Sequence, residues 1–84
     1  MRRNKVIVIF NNYKTGQSSD IEIPIDITAN ELVSGLNSAY DLGIDTTNIK
    51  ECYLKAENPI ALLRGNKTLD EFGIRDGSII NFTA

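Results

Sequence analysis

One segment, TANELVSGLNSAYDLG at residues 28–43, limits what this chain can fold into, because no other long stretch carries the periodicity of an amphipathic helix. Ala29, Leu32, Val33, Leu36, Ala39 and Tyr40 fall on one stripe, and Asn30, Glu31, Ser34, Asn37, Ser38 and Asp41 take the wet side. Thr28 and Glu31 stand at capping-box spacing, the hydroxyl serving an amide of the first turn and the carboxylate reaching back to the cap. The helix is expected over about 29–42, ended by Gly43 in a left-handed conformation with Ile44 folding back onto it.

The remaining apolar runs are too short for helices and read as strands at about 5–10 (KVIVIF), 20–25 (DIEIPI), 51–56 (ECYLKA), 60–63 (IALL) and 78–83 (SIINFT). NNYKTGQSS joins the first two as a long polar connection, and ENP turns the third into the fourth. Pro24 has no amide hydrogen to give a ladder, so the second strand belongs at a sheet edge, where Glu22 and Asp26 also discourage further pairing. TLDEFGI at 68–74 reads as one tight helical turn stopped by Gly73.

The order is thus hairpin, helix, hairpin, short turn and final strand. A lone helix can cover only one face of such a sheet, and a right-handed crossover through it sets the first and last strands parallel and adjacent. This is an α+β chain of the β-grasp class: a mixed five-stranded sheet, one long helix on one face, and a single domain over residues 1–84.

Alternation then generates the candidate site. If Val6, Val8 and Phe10 point to the helix, Ile7 and Ile9 point away from it, joined by Tyr53 and Lys55 on the third strand and Ile79 and Asn81 on the fifth. A sheet with one wet face normally alternates apolar and polar, so a first strand apolar on both sides calls for a cover. The expected patch of Ile7, Ile9, Tyr53, Lys55, Ile79 and Asn81, about a few hundred Å², is large enough to serve a protein partner. Three occupants remain open: another protein, a second copy in a weak homodimer, and the chain's own loop at Tyr13.

Function classes fall away on composition. The chain has no histidine, which removes the commonest general base and zinc ligand, and its one cysteine, Cys52, sits among apolar neighbours as a structural thiol. Neither an enzyme nor a cofactor is expected. Net charge is -2 and the lysines and arginines are scattered except for Arg2, Arg3 and Lys5 at the amino end, so no basic face invites nucleic acid or an anionic membrane. VIVIF is shorter than a signal-peptide core and no run approaches a membrane span, which makes a soluble cytoplasmic protein the expectation. KTG at 14–16 lacks the companion Ser-x-x-Lys of a penicillin-binding site, and GNKT at 65–68 lacks the Gly-Lys pair and the earlier glycine of a phosphate loop. The sequons at Asn66 and Asn81 have no meaning without a glycosylating compartment, and Asp70, Glu71 and Asp76 do not have calcium-loop spacing.

Thr68-Leu69-Asp70-Glu71-Phe72-Gly73-Ile74, followed by Ser78 and an apolar strand, resembles the turn and last strand of ubiquitin-like domains. The wider pattern of IEIP, TANEL, LKAENP, ALLRG, TL and GIRDGSII is similar to the EsaB/YukD family, small cytoplasmic proteins associated with the type VII (WXG100) secretion systems of Gram-positive bacteria. That resemblance implies an accessory or regulatory role, with a component of the secretion machinery as partner. Ubiquitin and the sulfur carriers of this fold act through a flexible Gly-Gly tail, whereas here Thr83 and Ala84 follow Phe82. Conjugation and sulfur carriage are therefore not expected.

Overall fold

In the computed structural model, which describes residues 4–83, strand β1 (Lys5–Asn12) and strand β5 (Ile79–Phe82) lie parallel at the heart of one sheet. β2 (Gln17–Pro24) flanks β1 antiparallel, while β3 (Leu54–Glu57) pairs antiparallel with both β5 and β4 (Ala61–Leu63), giving the order β2-β1-β5-β3-β4. The helix α1 (Ala29–Tyr40) supplies the crossover, so the expected β-grasp is the fold observed. Pro24 lies on edge strand β2, where its missing amide costs no ladder bond.

α1 forms where its caps allow. The Thr28 hydroxyl accepts the Glu31 amide at 3.1 Å and the Glu31 carboxylate accepts the Thr28 amide at 3.0 Å, so the capping box is complete. Ala29, Leu32, Val33 and Leu36 are buried and join Val8, Phe10, Leu54, Leu63 and Ile80 in one core. The stripe sinks no further than Leu36: Ala39 is exposed, and Tyr40 only leans its ring on Phe10 at a centroid distance of 4.9 Å.

Several boundaries differ from the sequence reading. α1 stops at Tyr40 rather than 42, with Asp41 itself left-handed at φ 52°, because the Asn37 carboxamide takes the amide and carbonyl of Ile44 and pulls the chain back. Gly43 is also left-handed but lies beyond the cap. No arginine or lysine stands in the last turn; Lys14, from the β1–β2 turn, donates to the Asp41 carbonyl at 2.9 Å instead. β1 and β2 run on to Asn12 and back from Gln17, shrinking the long connection to Tyr13–Gly16. The Asn12 carbonyl accepts the Gly16 amide, Gly16 adopts φ 75°, and polar residues 17–20 pair along a wet edge. β3 begins at Leu54, not 51, because the Asn48 carbonyl holds the Glu51 and Cys52 amides in a turn. β4 begins at Ala61, since Ile60 belongs to the turn, and β5 begins at Ile79, since the Arg75 carbonyl holds the Ser78 amide in a turn that the Ser78 hydroxyl braces through the Asn58 carbonyl and the Arg75 amide.

The 68–74 turn carries a second capping box. The Thr68 amide and hydroxyl both donate to the Glu71 carboxylate, and the Glu71 amide donates to the Thr68 hydroxyl at 3.3 Å. The two Thr-x-x-Glu motifs are joined: Thr28 and Thr68 form an antiparallel bridge, with the Ala29 amide on the Lys67 carbonyl and the Leu69 amide on the Ile27 carbonyl. Leu69, fully buried, closes the core beneath this joint.

Thr28→Ala is expected to lower stability by about 1 kcal/mol, read in urea denaturation as a lower midpoint with unchanged slope. The Thr68 amide and hydroxyl hold the Glu71 carboxyl below its ordinary value of 4.5, and the Thr47 hydroxyl and amide hold Asp45 below 3.8. Folded-state values below the unfolded ones mean that this stabilisation is full above the unfolded values and is lost as pH falls through the lowered ones. Thermal melts across acidic pH are expected to show that loss, and to show less of it in Glu71→Gln.

Candidate functional site

The face of the sheet away from α1 is assembled by alternation and register. With Val6, Val8 and Phe10 buried, β1 turns Lys5, Ile7, Ile9 and Asn11 outward. Residues opposite one another on adjacent strands share a face, which extends the assignment across the sheet. Ile7 is paired with Glu22; Asp20, Ile9, Ile79 and Glu57 make the next row; Ser18, Asn11, Asn81, Lys55 and Leu62 make the third.

The six residues expected at the site are not all equivalent. Ile9 and Ile79 are direct neighbours, each half-buried against the other's strand, and Ile7, 46% exposed, extends their strip along β1. Lys55 is exposed beside Asn81. Tyr53 falls outside β3, half-buried on a cleft of about 320 Å³ that it shares with Leu42, Gly43, Ile44 and Phe82. Asn81 is only 8% exposed: its Oδ1 accepts the Asn11 carboxamide at 2.9 Å and its Nδ2 donates to the Glu57 carboxylate at 2.7 Å. Asn81 is thus spent on a polar ladder across three strands and shapes the face from below instead of offering a free polar group. Tyr13, in the turn between β1 and β2, is 59% exposed.

Sequence reasoning missed Leu62 and Ile60, 43% and 91% exposed at the β4 end of the face. A signal existed, because antiparallel pairing across the Asn58-Pro59 turn sets Leu62 opposite Lys55, on the outer side. It also missed the acidic border. Asp20 and Glu22 on β2 and Glu57 on β3 flank the isoleucines, and Asp76 Oδ1 accepts the Ile7 amide at 2.8 Å. Cys52 is buried under the sheet, with its thiol 3.8 Å from the Asn30 carboxamide oxygen. Among the described residues no helix is long and apolar enough to cross a membrane.

The family model for the protein YukD of the WXG100 protein secretion system matches residues 5–81. No curated protein matches the sequence. Solved structures similar to it include a ubiquitin-like domain from tubulin-binding cofactor B, with 18% identity, TM-score 0.72 and coverage of 93% of this chain and 87% of that one. The ubiquitin-like domain of yeast Ddi1 aligns with 21% identity and TM-score 0.61 over 95% of this chain and 91% of that one. That of Plasmodium falciparum Dsk2 aligns with 18% identity and TM-score 0.60 over 94% and 99%. At these identities the likeness concerns the fold alone.

Removing the ladder is expected to weaken the sheet from its open side. Asn81→Ala strands the Asn11 carboxamide and the Glu57 carboxylate without their partner, at a cost of about 1 to 2 kcal/mol in urea unfolding.

Proposed function

The chain belongs to the YukD family of the WXG100 protein secretion system, and we propose that it serves that system as a non-enzymatic module that docks a component of the machinery in the cytoplasm without becoming covalently joined to it. The observation that carries this reading is the strip of Ile7, Ile9 and Ile79, outward-facing on the central strands, with Ile7 46% exposed and Ile9 and Ile79 half-buried among the described residues. Sheets with one wet face ordinarily alternate apolar and polar, so isoleucines here stand where water would favour threonine or lysine. Aliphatic side chains anchored on a rigid ladder suit recognition, because little conformational freedom is lost when they are covered. Lys55 stands at the rim, and Tyr53 borders the cleft beyond it, where they would orient the partner.

Ile79→Lys tests the reading with little risk to the fold, since the new ammonium would lie between Asp20 and Glu57 in the same row. Affinity for the machinery component is expected to fall roughly 30-fold, the loss of one central anchor. Secretion of WXG100 substrates into the medium, measured in cells carrying the variant, should fall with it. A folded variant that secretes normally and retains its complexes would remove docking by this face. Intact-mass analysis of cell extracts addresses the covalent question: adducts retaining the chain's carboxyl end would overturn the non-covalent reading.

A further inference from the structure

The border of the isoleucine strip narrows the kind of partner it fits. Asp20 and Glu22 line one side from β2, and Glu57 lines the other from β3, with Ile9 and Ile79 in the two strands between. Strands about 4.8 Å apart set Asp20 and Glu57 about 14 Å from each other, a trough slightly wider than the 10 to 12 Å of a helix with its side chains. Lys5 and Lys55 lie in the rows beyond, beside Pro24 and Asn81, so among the described residues the strand positions between the carboxylates carry no positive charge. The Asn81 amide donates to the Glu57 carboxylate at 2.7 Å and holds it at that border.

Resting on the docking reading above, we propose that the occupant of this trough is an amphipathic helix of a partner protein whose apolar stripe is bordered on both sides by lysine or arginine. The helix lies along β1 and β5, its stripe on Ile7, Ile9 and Ile79 and its basic flanks on Asp20, Glu22 and Glu57. β1 and β5 are hydrogen-bonded to neighbours on both sides, so the face offers side chains and no free ladder, which favours a partner that satisfies its own backbone. A second copy does not meet the requirement with its helix: α1 reads ANELVSGLNSAY and contains neither lysine nor arginine.

The test uses the full chain, labelled with ¹⁵N, and two synthetic helical peptides of about 18 residues that share a leucine stripe, one bordered by lysine and one by glutamate. Amide shifts are expected to centre on Ile7, Ile9 and Ile79, with the lysine peptide binding at least about 10-fold more tightly and losing that advantage in high salt. The isosteric triple variant Asp20→Asn, Glu22→Gln, Glu57→Gln, whose fold is checked by its own spectrum, should erase the difference between the peptides. Equal binding of the two peptides, or shifts centred elsewhere, would overturn the proposal. So would a concentration-dependent dimer in sedimentation that Ile79→Lys disrupts, since a second copy would then be the occupant. Failure here with secretion still sensitive to Ile79→Lys would leave the docking reading standing with a different partner; a positive peptide result with secretion insensitive would do the reverse.

Discussion

A single helix has to seal the inner side of five strands, and the rest of the structure follows from how it does so. Ala29, Leu32, Val33 and Leu36 are all that α1 commits to the core, and they meet the buried side chains of β1, β3, β4 and β5. Burying such side chains contributes about 1.5 to 3 kcal/mol each, the largest favourable term available to a chain of this size. One helix leaves one face without a second layer. That face cannot be internalised by any other element of the described chain, so whatever apolar character it has is directed outward.

The joint between the two Thr-x-x-Glu motifs determines where the helix sits. Thr28 and Thr68 are forty residues apart in sequence, yet their bridge, with the flanking bonds from Ala29 to Lys67 and Leu69 to Ile27, ties the start of α1 to the turn before β5. Each cap satisfies its own orphan amides, and the backbone between them is shared. Lys14 does the corresponding work at the far end, lending a cation to a helix terminus that has none of its own. The ends of α1 are therefore held by side chains and backbone from distant elements, and Leu69 fills the space the joint creates.

On the open side, polar and apolar groups are sorted by row. The Asn11–Asn81–Glu57 ladder occupies one end, the isoleucines the middle, and carboxylates the border. A buried asparagine with both ends of its amide engaged fixes the relative position of β1, β5 and β3 and so the spacing of the isoleucines above them. The ubiquitin-like structures that align with this chain share its architecture at 21% identity or less. That likeness reaches the fold alone, so the functional reading rests on the family and on the geometry of this sheet.

How much was legible beforehand follows from the range of the forces involved. Periodicity, a capping box and a proline at an edge are local, and they were sufficient for the helix, the five strands, the β-grasp order and the outward direction of Ile7, Ile9 and Ile79, because alternation leaves a strand residue only two choices of face. Boundaries shifted where a turn claimed backbone groups: the Asn37 carboxamide took those of Ile44 beyond α1, the Asn48 carbonyl held the Glu51 and Cys52 amides before β3, and the Arg75 carbonyl held the Ser78 amide before β5. Register lay beyond the sequence, since sliding β5 along β1 costs nothing that a local pattern records. Only the packed sheet decided that Ile9 would stand beside Ile79, that Asn81 would be drawn into a ladder, and that Asp20 and Glu57 would close the two sides, because those pairings exist only once hydrogen bonds between distant strands are made.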